Sequence, residues 1–160
     1  MTVALWRIAT DTPDYTADDL SGEGAKRSGG RWNRPGRPVL YTASNIALAC
    51  LETIVHLGGA GLPLNRYLVR IDVPEDVWQS ARVLNAETAP VGWDAIPAGK
   101  VSLDAGDRWL ASPAESALLC IPSVVVPEEA NVLVNPAHRD AKRITATKMR
   151  RWNYDVRVWA

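Results

Sequence analysis

The stretch SGGRWNRPGRPVLYTAS, residues 28 to 44, sets three guanidinium groups, Arg31, Arg34 and Arg37, among glycines and prolines. A guanidinium is a planar fork of donors that keeps its charge, so such a loop suits an anion whose oxygens can be bonded in pairs. Gly29 and Gly30 allow the backbone close to a ligand, and Pro35 and Pro38 limit the loop's freedom. Downstream, Glu52 is the sole charged residue of an apolar stretch, while Arg7, Tyr41 and Ser123 each interrupt an apolar segment, VALWRIA, VLYTA and CIPSVVV respectively. Polar groups inside such segments need partners. Taken singly, each reads as a satisfied core hydroxyl or a snorkelling arginine. Taken together beside the arginine loop, they point to a site.

The elements that must position these groups are mostly strands. VALWRIA from Val3, PVLYTA from Pro38, RYLVRIDV from Arg66, ALLCIPSVVV from Ala117, NVLVNP from Asn131 and YDVRVW from Tyr154 are rich in β-branched and aromatic residues and bounded by turn formers. The clearest helix runs from about Asn45 to Leu57, with Ser44 as N-cap and Gly58 and Gly59 as the left-handed stop. A shorter helix is expected over Ala137 to Lys148, and Ala86 to Gly106 reads as a long loop. Strands do not alternate with helices, which favours an α+β arrangement over a doubly wound sheet. At 100° per residue, Ile46, Ala47, Cys50, Leu51, Ile54 and Leu57 share one arc of the helix, and Asn45, Glu52 and His56 the other edge. On periodicity alone, Glu52 and His56 form a solvent-facing i, i+4 pair.

Composition sets the frame. A chain of 160 residues with 47% hydrophobic and 22% charged residues fits one globular domain, and no apolar run approaches the roughly 20 residues that span a bilayer. The N-terminus lacks the pattern of a signal peptide, and Cys50 and Cys120 both lie in apolar runs, so a cytoplasmic location with unpaired thiols is expected. Two cysteines and two histidines show no metal-ligand spacing, and no metal is expected. Net charge is zero but uneven: residues 11 to 23 carry five acids and no base, residues 26 to 37 five bases and no acid, and residues 139 to 157 seven bases against two acids. That polarity suits a small anion at a local site better than a nucleic-acid groove. Phosphate-loop, dinucleotide GxGxxG, GxSxG and HExxH motifs are absent. Tryptophans outside the arginine loop are expected to pack the core.

The blocks GGRWN, VLYTAS, ALACLETIVH and PSVVVPEEANVLVNPAH, in that order, resemble the RES domain, the toxin half of RES-Xre toxin-antitoxin modules, and with LWRIA they cover most of the chain as a single domain over residues 1 to 160. The resemblance implies a fold like that of ADP-ribosyltransferase toxins and an enzyme that acts on NAD, as a substrate and with no cofactor, either breaking it down or transferring its ADP-ribose. It makes Arg31, Glu52 and Ser123 the name-giving residues, with Tyr41 at the aromatic position and Arg7 as the first-strand arginine. It also implies an Xre-like helix-turn-helix antitoxin as partner, with no direct contact to nucleic acid or membrane.

Chemistry supports keeping these residue types together. Breaking the nicotinamide–ribose bond builds positive charge on the ribose, which a carboxylate stabilises as in glycoside hydrolysis, so Glu52 with Arg31 and Tyr41 forms the expected catalytic set. Arg7 and Arg31 would hold the pyrophosphate, Gly30 would admit it, Trp32 would line the cleft, Tyr41 would stack on nicotinamide, Ser123 would bond its carboxamide or a ribose hydroxyl, and His56 would orient Glu52. The leading expectation is NAD cleavage that depletes the cell and arrests growth. ADP-ribosylation of a protein is the alternative, and a non-catalytic basic-loop module for an acidic protein or RNA is the rival of another class.

Overall fold

The computed structural model describes residues 1–58, 61–111 and 115–159. Seven strands form one sheet: β1 (Thr2–Ala9), β2 (Leu40–Ala43), β3 (Tyr67–Pro74), β4 (Arg82–Val83), β5 (Leu118–Pro122), β6 (Ala130–Val134) and β7 (Thr145–Arg151), in the spatial order β4-β5-β6-β2-β1-β3-β7. Every pairing is antiparallel except β4 with β5, as an α+β architecture requires. Helices α1 (Glu23–Ser28), α2 (Ile46–His56), α3 (Glu75–Gln79) and α4 (Lys100–Ala111) flank it.

The joint between β1 and β2 positions the site. β1 pairs with β3 along its whole length, from Thr2 opposite Pro74 to Ala9 opposite Tyr67, yet meets β2 through a single register pair, Trp6 and Ala43. Beyond that pair the strands part and the sheet opens. One sheet face carries Leu5, Val69, Ile71, Leu118, Val132 and Val134, each nearly or fully buried. On the other face, α2 sets Leu48 and Ala49 against Ile8, Ala43 and Leu68, and Trp32 and Trp109 pack over Leu119, Ile121 and Leu133.

Several expected elements take other forms. Asn45, not Ser44, caps α2: its extended backbone (φ −147°) lets the side chain accept a hydrogen bond from the Leu48 amide at 2.8 Å, while the Ser44 amide is spent on Ala130. Gly58 supplies the left-handed turn after the helix (φ +54°), and Gly59 lies outside the described residues. The inward face of α2 is centred on Leu48 and Ala49, and Ala47 is exposed; apolar residues surround so much of this helix that periodicity alone leaves its rotation undetermined. β5 stops at Pro122, because the Ser123 amide bonds Glu129 and the chain turns back into β6. The expected helix over 137–148 is a 3-10 turn, Arg139–Arg143, capped by His138, followed by β7, which pairs with β3 at the sheet's edge. The expected strand from Tyr154 ends in another 3-10 turn, Val156–Trp159. α4 begins within the stretch expected to be loop, its buried Ser102, Ala105 and Trp109 recurring at helical spacing.

Candidate active site

Glu52 turns inward. It lies one turn beyond Leu48 and Ala49 on the packed face of α2, and its Oε1 accepts two hydrogen bonds, from the Ser123 hydroxyl at 2.6 Å and from the Asn131 amide at 2.8 Å. Oε2 has no hydrogen-bond partner among the described residues. Ser123 is wholly buried and fully committed: while donating to Glu52 it accepts from the amides of Val125 and Val126, both at 3.1 Å. Ser123, expected to bond the substrate, thus holds the carboxylate in this structure. His56, expected to orient Glu52, is exposed and makes no hydrogen bond to it, so the solvent-facing pair does not form either.

Tyr41 and Asn131 share the sheet face that α2 covers. Tyr41 stands opposite Leu133 and Ala43 opposite Asn131, which makes Tyr41 and Asn131 diagonal neighbours about 7–8 Å apart. The Tyr41 hydroxyl accepts from the Trp32 amide at 3.1 Å and donates to Asn33 Oδ1 at 2.7 Å, pinning the arginine loop to β2. Burial pushes its phenol pKa upward, with nearby Arg31 pulling the other way, so the ring acts as a neutral surface. Glycine at position 30 follows from this contact, because a Cβ there would stand 2.6 Å from the Tyr41 hydroxyl.

Arg31 reaches across to residues 93–95. Its Nη1 donates to the carbonyls of Trp93 at 3.0 Å and Ala95 at 2.7 Å, leaving Nε and Nη2 for another acceptor. α4 supports the loop from behind: Ser102 donates to the Arg31 carbonyl at 2.8 Å, and Arg34 pairs with Asp104 at 2.7 Å and with Asp107. Trp32 is 1% exposed and stacks on Trp93 with centroids 6.4 Å apart. It belongs to the core and does not line a cleft, a correction that follows from the loop folding its indole under its own backbone.

At the opening between β1 and β2 lies a cavity lined by Arg7, Tyr15, Asp19, Glu23, Val39 and Tyr41. Arg7 makes no hydrogen bond or ion pair among the described residues. Burial lowers its guanidinium pKa to about 10, against the raising influence of Asp19 and Tyr15. The guanidinium thus shares the cavity with the carboxylates of Asp19 and Glu23 without bonding either. The structure forms two groupings, the Glu52 clamp and the Arg7–Tyr41 cavity, with Arg31 beside Tyr41; Glu52 does not line that cavity, and Arg7, opposite Val69, belongs to the sheet face away from α2. Among the described residues no cluster of three or more metal-ligating side chains occurs, and no helix is long and apolar enough to cross a membrane.

Sequence reasoning missed Asn131, Asn33, Ser102 and the two acids of α4. Asn131 precedes an apolar strand, where asparagine reads as a turn boundary, although the polar-in-apolar signal that exposed Ser123 applies to it equally. Asn33 is fully buried and bonds the carbonyls of Ala25 and Arg37, both at 2.9 Å, tying α1 and the loop together.

Comparison with known proteins matches residues 4–157 to the model of the RES domain. Over 158 residues the chain is 60% identical to a protein of Sphingobium sp. (strain YBL2) named Prs ADP-ribosylating toxin, covering 99% of this chain and 98% of that one. It is 36% identical to proteins named Toxin Res from Photorhabdus laumondii, over 90% of each chain, and from Pseudomonas putida, over 86% of this chain and 88% of the other.

Proposed function

The chain belongs to the RES domain family, and from that premise we propose that it is a toxin that breaks the nicotinamide–ribose bond of NAD and passes the ADP-ribose to a protein acceptor. One observation carries the chemistry: a carboxylate fixed through one oxygen, with the other left unbonded among the described residues, on the face it shares with Tyr41. As the C1′–N bond breaks, its electron pair leaves with nicotinamide, which departs neutral, and positive charge grows on the ribose. Glu52 accepts a hydrogen bond from a ribose hydroxyl through Oε2, and that bond strengthens as the cation forms. Arg7, unpaired at the cavity, and the free donors of Arg31 take the pyrophosphate oxygens. The acceptor then attacks C1′ and loses its proton.

Transfer to a protein is favoured over release to water by the 60% identity with a toxin named as ADP-ribosylating. The rival binding-module reading finds less support on the loop, because Arg34 is paired within the chain and Arg31 spends Nη1 on two carbonyls. An Xre-like helix-turn-helix antitoxin completes the proposal as the partner that blocks the cleft. Incubating the purified chain with NAD labelled in its adenylate half tests it: nicotinamide is released and label becomes covalent on a protein of a bacterial lysate, while Glu52→Gln sharply lowers both. Nicotinamide with free ADP-ribose and no labelled protein would establish hydrolysis instead, and unaltered turnover by Glu52→Gln would refute the mechanism. Saturating antitoxin suppresses nicotinamide release if the blocking model holds.

A further inference from the structure

Resting on the reading of Glu52 given above, we infer that Asn131 is a positioning residue for the reaction, its amide and the Ser123 hydroxyl together fixing Oε1 so that Oε2 meets the substrate. The two donors come from different elements. Asn131 lies within β6, directly opposite Ile121, and Ser123 stands just past the end of β5. The last torsion of a glutamate side chain is broad and two-fold, so a single donor leaves the carboxylate able to turn. A second donor on the same oxygen, 2.8 Å away and approaching from a neighbouring strand, removes that freedom.

The residue type matters as much as the place. A neutral amide orients the carboxylate without cancelling the charge that must face the ribose cation. A lysine at 131 would form an ion pair and spend that charge, and an aspartate would repel it. Ser123 cannot take over alone, because its hydroxyl also holds the turn through the amides of Val125 and Val126 and so cannot follow a moving carboxylate. Asn131 uses its amide nitrogen on Glu52 while its carbonyl oxygen has no partner among the described residues, so the contact with Glu52 is the one its side chain makes there.

The test measures nicotinamide release from NAD by the wild-type chain and by Glu52→Gln, Asn131→Leu, Asn131→Asp, Asn131→His and the double variant Glu52→Gln/Asn131→Leu, with folding followed by circular dichroism. Removing the donor lowers kcat about 10- to 100-fold while KM for NAD stays within about three-fold, because the loss falls on the transition state. The same loss appears in Asn131→Asp, which keeps the shape and reports the effect even if Asn131→Leu does not fold. Asn131→His, which restores an N–H donor, recovers most of kcat. The double variant is no slower than Glu52→Gln alone, since the effect passes through the carboxylate. Wild-type kcat in both Asn131→Leu and Asn131→Asp while Glu52→Gln is silent overturns the inference alone, and so does a further additive loss in the double variant. A wild-type chain that releases no nicotinamide overturns the reading of Glu52 itself, and the inference with it.

Discussion

A carboxylate tied at one oxygen and open at the other has a direction, and the groups that set this direction also hold up the turn around it. Ser123→Ala removes one of the two bonds to Glu52 and strips the amides of Val125 and Val126 of their acceptor. The expected outcome is a fall in kcat for nicotinamide release together with about 1–3 kcal/mol lost in urea unfolding, the cost of buried donors left unmade. Arg7 presents the opposite balance. Its folded pKa of about 10 lies below that of a free guanidinium, chiefly through burial, so the charged side chain opposes folding over the whole neutral range until an anion meets it. Arg7→Met is therefore expected to leave the ligand-free chain at least as stable as wild type. The same variant should lose the rise in Tm that NAD or ADP-ribose is expected to produce in the wild-type chain. Thermal unfolding with and without ADP-ribose measures both, and a variant that melts lower than wild type yet still responds to ligand would count against the pocket assignment.

Elements were legible where a pattern is strictly local. β1, β3 and β6 follow from runs of strand-forming apolar residues bounded by turn residues, and α2 from its capped apolar run. Misreadings arose where long-range pairing decides the outcome. Thr145 to Arg151 has no apolar face of its own, and it is a strand because the edge of β3 offers it partners; Tyr154 to Trp159 has strand composition yet pairs with no strand among the described residues. Glu52, Arg31, Tyr41, Arg7 and Ser123 could be singled out as polar intrusions, but that Ser123 serves Glu52 and that Asn131 joins it depends on a turn between β5 and β6 that no spacing rule encodes. α4 was illegible for a related reason: its helical face is completed by the backbone of the arginine loop. Gly106 packs so closely there that a Cβ would fall 1.7 Å from the Trp32 carbonyl oxygen. Gly106→Ala, favourable in an isolated helix, must here push α4 off the loop. The chain should lose about 1–3 kcal/mol or more, and nicotinamide release should fall as the Ser102 bond to Arg31 and the Arg34 ion pairs slip. Comparing Tm and turnover of this variant with wild type checks it.

For the molecule as a whole, the uneven charge of the sequence closes on itself. Asp11 of the acidic segment pairs with Lys148 at 2.8 Å, Asp14 and Glu23 pair with Arg27, Asp76 on α3 takes Arg143 in a two-bond contact at 2.7 and 2.8 Å, and the acids of α4 take Arg34. Apart from the pairs of Arg27, these link segments far apart in sequence: the stretch after β1 to β7, α3 to the turn before β7, and the loop to α4. Exposed pairs of this kind contribute little each, and salt screens them. Hydrogen bonds from Lys148, Arg143 and Arg34 hold Asp11, Asp76 and Asp104 below the ordinary value of 3.8. A carboxylate whose folded pKa lies below its unfolded one adds stability at every pH above the unfolded value and loses it as pH falls toward the folded value. Stability should therefore stay level from pH 7 to about 5 and decline below about 4, as the unfolded chain takes up protons that the folded chain resists. Urea midpoints at pH 7, 5, 4 and 3 measure the decline. Asp76→Asn, which cannot titrate, should make it shallower, and a midpoint that does not move between pH 5 and 3 would show that these pairs do not tie the distant segments together.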